Sequence, residues 1–179
     1  MLRTSTFVVA FVVTATQPRA AESPAPLRTA AEAAAARTIK FAGGSVTVER
    51  MGDREKVVVS DRNGKLVSES WCDQETGTYD ELVTLFRQLQ RAVVAKDRQS
   101  VANLVRFPLQ VNGARHESIK GSAGLLRRYE QIFANDVTKK IAEANAEAVF
   151  CRDGQAMLGE GVVWGHVDHG QAGVDVVNR

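Results

Sequence analysis

Three observations predict an α+β fold for this chain. Short β-branched runs separated by glycine turns come first, helical periodicity then extends from Thr78 to about Ala144, and four β segments close the sequence. Helices grouped ahead of strands indicate segregated layers rather than alternating βαβ units.

The first element, Met1 to Ala20, reads as a cleavable secretory signal. Arg3 makes a positive start, Phe7 to Val13 is an uncharged apolar run, and small residues come after it, so cleavage after Ala15 or after Ala20 both fit. The run is well short of the ~20 residues that span a bilayer. No twin arginine or lipid-accepting cysteine accompanies it, so no stable membrane anchor is expected and the exported chain should be periplasmic. The chain has 23 Lys+Arg against 21 Asp+Glu; removal of Arg3 and Arg19 with the signal leaves 21 against 21. A neutral mature protein has no net-charge attraction to nucleic acid or anionic lipid.

Residues 21–37 are rich in alanine, with Pro24 and Pro26, and have almost nothing to bury. They read as a tether. From residue 38 to 72 the runs Val46–Glu49, Val57–Val59 and Leu66–Ser68 are separated by Gly43-Gly44, Met51-Gly52-Asp53 and Asn63-Gly64. Asn-Gly between extended runs is a hairpin signal, so this stretch is expected to be a small antiparallel meander. A sheet this small requires support from the rest of the domain.

Thr78 to Glu81 fits a capping box, and Leu82, Leu85, Phe86, Leu89 and Val93 then recur on one helical face. Tyr79 is expected at the solvent-facing start of this helix. Asp97 fits the cap of a short second helix carrying Val101, Leu104 and Val105. Phe107-Pro108-Leu109-Gln110-Val111 should be extended, because proline disfavours helix in its predecessor. After an Asn112-Gly113 turn, Ser122 opens a helix bearing Leu125, Leu126, Tyr129, Ile132 and Phe133. Asp136 is expected to cap another, with Val137, Ile141 and Ala144. The tail reads as strands at Ala148–Cys151, Ala156–Leu158, Gly161–Val167 and Ala172–Asn178, with an Asp153-Gly154 turn.

Cys72 and Cys151 are the only cysteines. In an oxidising compartment an isolated pair is expected either to bond or to sit as two separate buried thiols.

Within the unit from 78 to 179, about residues 78–178 resemble exported bacterial members of the nuclear-transport-factor-2-like superfamily. The resemblance rests on the helix order, the Arg-Phe-Pro-Leu-Gln-Val-Asn strand at 106–112, Leu-Leu-Arg-Arg-Tyr-Glu-Gln-Ile-Phe at 125–133, and the closing run through Gly159-Glu160-Gly161-Val162-Val163-Trp164. It implies a curved, mostly antiparallel sheet wrapped on the helices as a cone, preceded here by the meander. Such cones often enclose an apolar pocket and often pair through the outer sheet face, which allows a homodimer. Members include isomerases and dehydratases as well as binding, assembly and immunity modules, so the fold does not choose among them.

A ligand pocket in such a cone would be built here from Tyr129, Glu160 and Trp164, with Glu160 and Tyr129 as the acid/base candidates. Leu158, Glu160, Val162, Trp164 and His166 share one face if the strand is regular, though Gly159 and Gly161 warn of a bulge. His166 and His169, with Asp168, invite a metal reading, but a structural zinc site needs four convergent ligands and the segment is ordinary turn material. No glycine-rich phosphate loop, nucleophile elbow or paired-cysteine pattern is present, and no cofactor is implied. The first helix offers no polar side chain to the interior, which favours binding over catalysis. The expectation is an exported non-enzymatic module for an unidentified protein or small apolar ligand. The alternatives are an acid/base enzyme acting on a small apolar molecule and an envelope immunity or accessory protein.

Overall fold

The computed structural model describes residues 36–179. The expected signal, its two cleavage positions and the tether up to residue 35 lie outside the described residues. Among the described residues, no helix is long and apolar enough to cross a membrane.

The first sheet has four antiparallel strands in chain order: β1 Arg37–Phe41, β2 Gly44–Met51, β3 Arg54–Asp61 and β4 Leu66–Cys72. Val46 opposes Val59 and Val48 opposes Val57, so the period-2 alternation puts four valines on one buried face. Asp61 closes the Asn63-Gly64 turn by accepting from the backbone N–H groups of Asn63 at 2.8 Å and Lys65 at 2.9 Å. Strand β1 is an addition to the expected meander, and it starts at Arg37, the last residue assigned to the tether. Its Ile39 and Phe41 pack against the core from alternate positions.

Helix α1, Tyr79–Val94, starts at the expected capping box, with both reciprocal bonds between Thr78 and Glu81 formed. Leu82, Leu85, Phe86, Leu89 and Val93 are all buried. Tyr79 is not solvent-facing: it is fully buried, and its hydroxyl donates to the Glu147 backbone carbonyl at 3.0 Å. The meander covers this helix start, and Glu55 accepts from the Tyr79 N–H at 2.7 Å. Helix α2, Arg98–Asn103, is capped by Asp97, whose carboxylate accepts from the Ser100 N–H and hydroxyl. Those bonds hold the Asp97 carboxyl below its ordinary range.

Next come β5 Val105–Asn112 and β6 Glu117–Ile119. The helix expected from Ser122 is two, α3 Ser122–Arg127 and α4 Tyr129–Ile132, broken at Arg128, whose guanidinium pairs with Glu117 of β6. Helix α5, Asn135–Glu143, has Ala134 at its cap with no side-chain bond. Asp136 is therefore not the cap; it sits inside the first turn, where its charge suits the helix dipole. The chain closes with β7 Phe150–Arg152, β8 Gln155–Leu158, β9 Val163–Asp168 and β10 Gln171–Asn178.

These strands form a second sheet in the order β6-β5-β10-β9-β8-β7, with β5 and β10 parallel and every other pair antiparallel. The protein is thus α+β with two mostly antiparallel sheets. Pro108 is tolerated inside the sheet because β5 is paired with β10 at Val105 and again only from Gln110, and with β6 only from Leu109. Buried residues of both sheets and the helices form one continuous core. The sheets come together where β4 lies beside β7, and there Cys72 and Cys151 are joined as a disulfide with Cα atoms 5.2 Å apart. Of the two alternatives left by the sequence, the bridge is the one formed.

Candidate functional site

The helices pack on one face of the six-stranded sheet: a Cβ on Gly165 would lie 3.2 Å from Leu85 of α1. Alternation then turns Trp164 and His166 to the opposite, outer face. Registers carry that face across the whole sheet as one row. Phe150 opposes Met157, Met157 opposes Trp164, Trp164 opposes Val176, Val176 opposes Gln110, and Gln110 opposes Ser118. Four of those six positions are aromatic or aliphatic, and all four are only half-buried. The Trp164 indole N–H donates to the Gly161 carbonyl at 3.1 Å, and the Arg152 guanidinium lies 5.7 Å from its ring centre.

Beside the row lies a charged cluster. Val174 opposes Gly165 and Val176 opposes Trp164, so Asp175 is the extra residue of a β-bulge in β10. The bulge turns its carboxylate outward, where it meets His166 Nδ1 at 2.6 Å and Arg106 Nε at 3.4 Å. Arg106 also binds Asp168 at 2.6 Å. Its stem lies flat over β10 at Gly173, a position where a Cβ would collide with it. Burial pushes the Asp175 carboxyl up, against the opposing pull of His166 and Arg106. The Arg106 hydrogen bond holds the more exposed Asp168 carboxyl down.

The expected pocket residues are not brought together. Tyr129 is buried among the helices and stacks on Phe133 with ring centres 5.1 Å apart. Glu160 is exposed and lies in a left-handed turn, φ 55°, between Gly159 and Gly161, which also have positive φ. That turn breaks the alternation on which the shared face depended: Leu158 and Val162 point inward and Glu160 does not join them. The cleft beside Glu160, about 440 Å³, is lined by Lys140, Glu143, Asn178 and Arg179, but by neither Tyr129 nor Trp164. Tyr79, Leu82, Phe86 and Leu89, which face the interior, line none of the surface clefts described.

His166 and His169 also diverge. His166 is engaged by Asp175, whereas His169, in the β9–β10 turn with φ 49°, is 95% exposed and pairs with its neighbour Asp168 at 3.5 Å. Among the described residues, no three His, Cys, Asp or Glu side chains are grouped to hold a metal. Arg106 and Asp175 are the members of the cluster that sequence reasoning missed. The one signal for them was a single acid inside the apolar strand Ala172–Asn178.

No protein-family model, curated protein or solved structure matches the chain.

Proposed function

We propose that this chain is an exported, non-enzymatic interaction module of the nuclear-transport-factor-2-like type that pairs with a second copy through the outer face of its six-stranded sheet. The observation that carries this reading is the row Phe150, Met157, Trp164 and Val176 on the face turned away from the helices. A solvated sheet face is normally polar at alternate positions, and here the positions that should be polar are apolar. A two-fold interface must be self-complementary, and this face sets both signs of charge beside the apolar row, Arg106 and Arg152 with Asp168 and Asp175, so a second copy can oppose unlike charges there. One mostly antiparallel sheet with helices on a single face supports the superfamily assignment and its cone-like arrangement. The buried disulfide fits an oxidising compartment, which supports export.

The acid/base alternative is favoured by one contact, the Asp175–His166 hydrogen bond, the arrangement by which a carboxylate orients a histidine base. It lies on an open sheet face, while the interior where a cone would hold its substrate is filled by side chains such as Leu82, Phe86 and Phe133. That packing supports the interaction reading.

Sedimentation equilibrium of the disulfide-bonded protein tests the proposal. A dimer is expected in the micromolar range, and Trp164→Glu should convert it to a monomer with unchanged circular dichroism. A monomer persisting to several hundred micromolar would overturn it.

A further inference from the structure

We infer that pairing through this sheet face takes up protons, with His166 as the acceptor, so that the dimer tightens as pH falls from 8 to 6. The inference rests on the proposed dimer and names its regulation.

The geometry isolates a small set of charges. In the six-stranded sheet the ionisable groups are Glu117 of β6, Arg106 of β5, Asp175 of β10, His166 and Asp168 of β9, and Arg152 of β7, while β8 has none. Glu117 is occupied by Arg128 and Arg179, and Arg152 by Asp153 and the Trp164 ring. His169 sits beside Asp168 in the turn but projects into solvent. What remains next to the apolar row is Arg106, Asp168, Asp175 and His166, mutually bonded at 2.6 to 3.4 Å.

The charge of that cluster depends on one proton. With neutral His166, a single arginine faces two carboxylates and the cluster carries a net negative charge. With protonated His166 the charges balance. On the open face water screens the difference, and the side chains of His166 and Asp175 are 26% and 17% exposed. When a second copy covers the face, the unbalanced form must lose its hydration without a compensating partner, and burying such a charge is costly. The covered state therefore favours the protonated imidazole. By linkage the dimer binds up to two more protons than two monomers. Burial of Asp175, already driving its carboxyl up, acts in the same direction by penalising uncompensated negative charge.

The chain has three histidines, so the pH 6–8 interval can be dissected by substitution. Dimer dissociation constants would be measured by sedimentation at pH 6, 7 and 8 at fixed ionic strength. The wild type should tighten by roughly tenfold or more from pH 8 to pH 6, the interval in which imidazoles exchange a proton. His116→Gln and His169→Gln should retain that slope, and His166→Gln should flatten it. Asp175→Asn removes one carboxylate, so the balanced form becomes the neutral imidazole and the slope should reverse. A reversal of sign cannot come from loosened packing alone. A dimer whose affinity is the same at pH 6 and 8, or whose slope survives His166→Gln, would overturn the inference and leave the dimer itself standing. A monomer at every pH would overturn both.

Discussion

Cys72 and Cys151 join the last residue of β4 to the middle of β7, two strands that belong to different sheets and share no backbone ladder. Beside the bridge the Cys151 N–H donates to Ser70 Oγ at 3.1 Å, and Ser70 is buried. The disulfide closes a sequence separation of 79 residues. In the chain-entropy model such a loop corresponds to about 4 kcal/mol of stability. Urea unfolding with and without reductant should show a loss of that order. Ser70→Ala, with the bridge intact, should cost a further ~1–3 kcal/mol because it orphans a buried N–H.

Alkaline pH should unfold the protein early. Both tyrosines, Tyr79 and Tyr129, have hydroxyls pushed above the ordinary range by burial, and for Tyr79 the Glu147 carboxylate adds to the effect. A raised folded-state pKa contributes stability that is fully present below the unfolded pKa of ~10 and is lost as pH rises beyond it. Absorbance at the tyrosinate band should therefore stay flat through about pH 10 and rise together with loss of circular dichroism. Independent ionisation of either tyrosine in a folded protein would contradict this.

Gly173→Ala should dismantle the charged cluster without touching any charge. The added methyl would occupy the space of the Arg106 stem, which must lift and lose its reach to Asp168 and Asp175. Overpacking of this kind typically costs ~1–3 kcal/mol. The Arg106 Nη2–H resonance, hydrogen-bonded to Asp168 at 2.6 Å, should lose its hydrogen-bonded shift in the variant.

Glu160→Gly should stabilise the protein or leave it unchanged. The left-handed region costs a non-glycine residue about 1 kcal/mol or more, partly offset by the greater chain entropy of glycine. A large loss of stability or of dimerisation would return Glu160 to a functional role.

Local signals in the sequence account for much of the fold. The Thr78–Glu81 box, the Asp97 cap and the Asn63-Gly64 hairpin each rest on contacts within a few residues, and all three form. Asp136 is not a cap because a nearby residue, Ala134, begins the helix, and cap positions differ by a step or two that composition does not resolve. Glu160 departs from expectation for a related reason. An alternation argument needs a continuous strand, and Gly159–Gly161 form a turn instead.

The cluster on the outer face was beyond local reading. Arg106 and Asp175 come from strands far apart in sequence, joined by the one parallel pairing in the sheet, and Asp175 faces outward only because of a one-residue bulge. Neither the pairing nor the bulge leaves a mark in the residues themselves. The disulfide lay between these cases: both cysteines were visible, and whether they meet depended on β4 coming to rest beside β7.

The position of β10 has a consequence for how the protein comes into being. Residues 171–178 form the strand that bridges β5 and β9, so until they emerge the sheet exists only as two separate pieces, β6-β5 and β9-β8-β7. The parallel pairing to β5 is also long-range, which delays its closure relative to the local hairpins. Assembly is thereby held back until nearly the whole domain has been made.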